Sequence, residues 1–127
     1  MVFKLMAVIY KNSVKHITTT GAKTTLYTCP TSTSLQQFSA VIKTFSILNT
    51  GSAGTCNVYI IDTSASATID IKRFSNTEFT AGTTVNVIEN GNVIVLEAGD
   101  AIQIDNSVGP ADCNVSIMEI TEELRGV

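Results

Sequence analysis

Any chemistry in this chain has few residues to draw on. His16 is the only histidine, so a serine–histidine–acid or cysteine–histidine mechanism would have to pass through it. It lies in an alternating stretch, residues 14–19, and the chain contains no Gly-x-Ser-x-Gly elbow, so it reads as a structural histidine. A single histidine also excludes a multi-histidine metal site within one protomer. The three cysteines, Cys29, Cys56 and Cys113, are odd in number and widely spaced. That fits neither a closed disulfide framework nor the short paired spacings of zinc ligands. They read as free buried thiols behaving as small hydrophobes, consistent with folding in a reducing cytoplasm.

Carboxylates are more plentiful. A glycosidase needs two acids held across a sugar, but Asp62, Asp70, Glu89, Glu97, Asp100 and Asp105 mostly fall at strand ends or on outward phases. The cluster Glu97, Asp100 and Asp105 has oxygen ligands for calcium without an EF-hand spacing, and Asp100 reads instead as a turn residue capping local amides. Gly51-Ser-Ala-Gly54 leads into a strand, so it lacks the helix N-terminus of a phosphate loop. The sequence assigns no catalytic, cofactor-binding or metal-ligating residue and implies no cofactor. One aromatic, Tyr59, is out of phase with its apolar neighbours Val58 and Ile60 and is the candidate ligand-facing ring of a sugar-binding surface.

These residues are carried by strands. Apolar residues alternate with polar ones along most of the chain, and Gly, Asn, Ser and Pro clusters interrupt them at intervals of about 8–12 residues. Strands are expected at residues 6–10, 14–19, 24–29, 38–49, 56–62, 68–74, 84–89, 93–97, 101–105 and 113–120. The longest, 38–49, carries apolar groups on both faces, which predicts a central strand or one whose buried face changes at a bulge. Asn90-Gly91 between apolar runs predicts a type I′ hairpin joining 84–89 to 93–97. Residues 121–127 are expected to add a helical turn or fray. The fold class that follows is all-β, an antiparallel β-sandwich of jelly-roll-like type. One domain spans residues 1–127, with 1–20 as an N-terminal arm or first strands.

Composition supports this: of 127 residues, 44% are hydrophobic and only 15% charged, and there is no Trp. Ser and Thr make up about a quarter. The net charge of −3 argues against a nucleic-acid partner. No apolar run approaches the 18 or so residues that span a bilayer, so no membrane partner is expected, and the N-terminus is a poor signal peptide. The charge is unevenly placed: residues 1–61 hold five lysines and no acid, while 62–127 hold all eleven acids against three bases. Either the halves interleave within one sandwich, or a basic N-terminal segment lies on an acidic neighbour.

The segments Leu26-Tyr27-Thr28-Cys29-Pro30, Asn49-Thr50-Gly51 and Leu96-Glu97-Ala98-Gly99-Asp100, spaced by a long strand at 40–48 and a partner at 57–61, resemble a type of small β-sandwich protein found among tailed-bacteriophage structural proteins. The likeness covers about residues 24–120 and rests on turn and strand signatures. It implies a non-enzymatic virion component assembled in the host cytoplasm. The role implied first is a capsid decoration (cement) protein that binds the major capsid protein or other virion proteins as a homo-oligomer, with a trimer favoured. A tail, neck or fibre-associated protein, or a carbohydrate-binding module for host attachment, is the alternative. With the charge split, this makes residues 1–15 the expected arm to a neighbouring subunit, with Met1, Val2, Phe3, Lys4, Leu5, Met6, Lys11 and Lys15 as its contact residues.

Overall fold

A computed structural model describes residues 2–107 and 109–126. Its nine strands are β1 (Val2–Ile17), β2 (Lys23–Thr28), β3 (Gln36–Asn49), β4 (Cys56–Asp62), β5 (Ala67–Phe74), β6 (Thr84–Asn86), β7 (Ile94–Glu97), β8 (Ala101–Asn106) and β9 (Ala111–Gly126). They form two antiparallel sheets. The first runs β1-β9-β3-β6, with β7 also on β3, and the second runs β2-β8-β4-β5. Most successive strands change sheet, which is the connectivity of a jelly-roll sandwich. The all-β expectation therefore holds.

Strand β3 shows how the sequence builds the core. Its buried residues are Ala40 and Ile42, then Phe45, Ile47 and Asn49, so the inward phase switches from even to odd. The switch falls at the register shift between Ile42 and Thr44, where Lys43 is the extra residue. Such a bulge lets a strand with apolar groups on both phases bury first one and then the other. Opposite it, Ala111, Cys113, Val115 and Ile117 of β9 face inward. They meet Val58, Ile102 and Ile104 of the second sheet, with Phe79 and Leu96 closing the layer.

Three expectations change. The two strands drafted in residues 1–20 are one, because β9 offers an unbroken partner: Ile17 pairs with Ala111, Val8 with Ile120 and Val2 with Gly126, without a shift. The polar step Lys11-Asn12-Ser13 is carried across that ladder, where Ser116 Oγ donates to Asn12 Oδ1 at 3.1 Å. The tail up to Gly126 belongs to β9 rather than to a helical turn, and the Leu124 amide donates to the Leu35 carbonyl at 2.8 Å. The hairpin at Asn90-Gly91 is half right. Both residues have positive φ, +59° and +73°, and the Asn92 amide donates to the Glu89 carbonyl at 3.1 Å, so the tight turn forms. The flanking runs do not pair with each other, however. β6 pairs with Ser46–Leu48 and β7 with Ser39–Ile42, making one interrupted edge strand along β3, with 87–93 an excursion from it.

At the end of the sandwich where β3 and β9 meet the loops, the fully buried Asn49 side chain donates to the carbonyls of Ser52 and Phe79 and accepts from the Gly51 amide. This draws Gly51 onto Gly109 and Pro110. A Cβ on Gly51 would lie 2.7 Å from Gly109 Cα and 2.8 Å from Pro110 Cδ, against backbone and a rigid ring that cannot step aside. Gly51→Ala should therefore lower unfolding free energy in urea by about 1–3 kcal/mol. A loss below about 0.5 kcal/mol would mean that the loops separate freely.

Candidate assembly interface

Cross-strand partners in an antiparallel ladder share a face. The β1–β9 register therefore puts Leu5, Ile9 and Lys11 on the side of the second sheet, and Met6, Val8 and Tyr10 on the outer side. The second sheet reaches β1 at its C-terminal end. There Ile17 is buried, Ser13 Oγ donates to the Leu26 carbonyl at 2.6 Å, and Lys15 Nζ donates to the Thr25 carbonyl at 2.8 Å. Residues 4–12 are exposed on both faces. Along its other edge β1 has no strand partner among the described residues.

An open strand of this length with apolar groups on both faces is what soluble proteins normally avoid by charge, proline, bulges or brevity. The remaining sheet edges show those devices: β6 and β7 have 3 and 4 residues, and β2 is bulged between Thr25 and Tyr27. β5 carries the Asp70–Arg73 ion pair. On the outer face the apolar groups continue across the sheet. Tyr10, Met118, Val41 and Val95 stand directly opposite one another on four strands, flanked by Val8 and Ile120. Tyr10 is 72% and Val95 62% exposed. Contiguous exposed apolar rows are a common feature of surfaces that bind other proteins.

The lysines expected to reach a neighbour are engaged within the chain. Lys4 pairs with Glu122 at 3.4 Å, and Lys11 donates to both oxygens of Glu119 at 3.1 Å. Interleaving, the first of the two readings of the charge split, therefore accounts for these contacts. Residues 2–17 form a strand on β9, with Lys4 and Lys11 paired to acids of β9 and Lys15 bonded to the Thr25 carbonyl of β2. Leu5 and Met6 remain exposed, at 44% and 65%. Met1 and the side chains of Val2 and Phe3 lie outside the described residues.

Glu119 is missed by sequence reasoning altogether. It occupies an inward phase, is buried, and also accepts the Tyr27 hydroxyl at 2.6 Å. Burial, followed by this bond, pushes the Tyr27 phenol well above its ordinary range. Burial and the Glu119 charge push up the Cys29 thiol. The signal in the sequence is an acid in phase with Val115 and Ile117, where a polar residue needs partners. The outer row is missed for a related reason: Met118 and Ile120 lie in the phase opposite to the core.

The other candidates are accounted for locally. His16 pairs with Asp112 on the exposed outer face, and no hydroxyl or thiol bonds to either among the described residues. Asp100 accepts from the Glu97 amide at 3.0 Å and from the Thr63 amide and hydroxyl at 3.1 Å each, which is the turn-capping role expected of it. Asp62 caps its own turn through Ser64 and Ala65, and these bonds hold its carboxyl below the usual range. Tyr59 stands on the outer side of its sheet, where alternation puts it; it is 9% exposed, and Lys23 Nζ sits 4.7 Å from the ring centroid. A shallow depression of about 270 Å³, open to solvent and lined by Tyr10, Asn12, Lys43 and Ser116 among others, lies beside the β3 bulge.

No protein-family model matches the chain, and no curated protein matches it in sequence. In fold it is similar to a subunit of Bacillus endospore appendages, described as a novel family of disulfide-linked pili. That likeness has a TM-score of 0.52 at 11% identity and covers 94% of this chain and 90% of that one. More distant are the Drosophila NLP core, studied for pentamer formation and histone binding (TM-score 0.44, 17% identity, 83% and 97% covered), and the protein of T=1 particles derived from infectious bursal virus (0.24, 10%, 96% and 39%). The first likeness is one of fold, and the other two carry no argument.

Two predictions follow from the buried groups. Tyr27→Phe removes a donor from a buried carboxylate and should destabilise the fold by about 1–3 kcal/mol, read by thermal or urea unfolding; an unchanged midpoint would show that Glu119 does not depend on it. Burial pushes the thiols of Cys56 and Cys113 up to about 12 from 9.0. Alkali then ionises the unfolded chain first, so stability is full below about pH 9 and is lost as pH rises towards about 12. The melting temperature should be level from about pH 7 to 8.5 and fall above about 9; a level profile to pH 11 would contradict this.

Proposed function

We propose that this chain is a non-enzymatic structural protein of a virion that works by binding other protein surfaces, and that its place is on the capsid as a decoration protein. The observation that carries the reading is the outer apolar row Tyr10–Met118–Val41–Val95 on a sheet whose edge strand is open. The partner surface is the major capsid protein or another virion protein, and assembly takes place in the host cytoplasm. The acids and the histidine, the groups a hydrolase would use, are largely occupied in turns and cross-strand pairs. A carbohydrate-binding role at Tyr59 is disfavoured by the lysine on its ring.

A tail, neck or appendage subunit is the second reading, brought in by the fold shared with the pilus subunit. Those pili are disulfide-linked, whereas Cys29, Cys56 and Cys113 are buried here as free thiols. Mass spectrometry of purified particles, with copy number, tests the proposal. Hundreds of copies per particle support decoration, about a dozen or fewer place the chain in the tail or neck, and absence from particles overturns the virion role. The double variant Tyr10→Asp, Val95→Asp should keep its melting temperature within about 3 °C and lose at least tenfold in particle binding; undiminished binding would take the outer row out of the account.

A further inference from the structure

We infer that the free stretch of β1 binds a second copy of itself, joining the two first sheets edge to edge about a twofold axis at Val8. The inference deepens the assembly reading of this sheet and rests on it. Ser13 and Lys15 bond the C-terminal end of β1 to the carbonyls of Leu26 and Thr25, so β2 lies against that end; residues 4–12 are the stretch clear of it and exposed throughout, and Val8 is its midpoint. β1 has 16 residues, while the other edge strands β2, β5, β6 and β7 have 6, 8, 3 and 4. Among the described edge strands, β1 alone is long enough to pair along all of residues 4–12.

An antiparallel pair about an axis normal to the sheet keeps each residue on its own face. Centred on Val8, it sets Val8 opposite Val8 of the second copy, Met6 opposite Tyr10, Ala7 opposite Ile9, Leu5 opposite Lys11 and Lys4 opposite Asn12. Apolar groups that are exposed in one copy, among them Met6 at 65% and Ile9 at 49%, then cover one another. No lysine faces a lysine. Lys4 and Lys11 are each paired with Glu122 and Glu119 of their own β9, so two basic strands can approach without net repulsion. The outer rows of the two copies become one apolar surface. An isologous contact uses the same patch on both subunits and closes at two, so this contact makes a dimer rather than the trimer that the bacteriophage resemblance favours.

Single cysteines in β1 test this on the purified 127-residue chain, because the native thiols are buried and the unmodified chain is the uncross-linked control. Under mild oxidation Val8→Cys should form a disulfide-linked dimer. A mixture of Ala7→Cys and Ile9→Cys chains should link to each other in preference to themselves, and Val14→Cys on the same face as Val8 should stay monomeric on a non-reducing gel. Sedimentation should give a dimer that Val8→Lys weakens at least tenfold while the melting temperature is retained. Self-linkage at Ala7→Cys or Ile9→Cys in place of Val8→Cys overturns the register. A monomer or trimer with no linkage at any of the three overturns the pairing. None of these readouts uses particles, so failure here and failure of the virion role are separate results.

Discussion

Residues at the very start of the chain pair, without a register shift, with residues at its end, from Val2 on Gly126 to Ile17 on Ala111. That ladder joins the two most distant parts of the sequence, so its closure carries the largest loop-closure entropy cost of any pairing in the fold. It sets the position of β9 between β1 and β3, and so the layer of inward residues that meets the second sheet. It also brings the basic and acidic halves of the chain side by side, which is why a polypeptide with so uneven a charge distribution is locally neutral where its termini lie. The same pairing leaves β1 outermost, with one edge satisfied and the other open.

From this follows a division of labour along β1. Near Ile17 the strand is part of the sandwich, covered by β2 and tied to it by Ser13 and Lys15. Towards the N-terminus it is a two-faced ribbon backed by β9, with Lys11 reaching back to a buried carboxylate, Glu119, that also holds the Tyr27 hydroxyl. A buried acid is costly unless fully bonded, and here three donor contacts, two from Lys11 and one from Tyr27, meet it. That cluster stands where the core ends and the exposed ribbon begins. The apolar groups beyond it contribute nothing to the core of a single copy. They can contribute to stability only where a second surface covers them.

Much of the fold was legible in the residues because alternation and turn chemistry are local. The long strand with two apolar phases announced its bulge, and Asn90-Gly91 announced its turn. Which strands would pair was not legible, since β6 and β7 choose the long edge of β3 over each other, and that depends on a non-local partner. Residues 121–126 read as a helical turn or a fraying tail for the same reason: their partners, on β1 and β3, lie more than eighty residues away. Among the candidate contact residues, Leu5 and Met6 present exposed apolar surface, whereas Lys4, Lys11 and Lys15 are bonded within the chain, as the interleaved reading of the charge split expects. Tyr59 shows the limit of phase arguments. Its side was predictable from Val58 and Ile60, but the lysine that covers it comes from β2, and sequence periodicity carries no information about that contact.

The central claim is that the first sheet, with β1 at its edge, is covered in the working assembly. Amide hydrogen exchange resolved along residues 4–12 tests it most directly, comparing the dilute isolated chain with the assembled form. The account predicts rapid exchange at the edge-facing amides of β1 in the dilute chain and at least tenfold slowing of the same amides on assembly, with β3 and β8 protected in both. Equal exchange along residues 4–12 in the two states would contradict it.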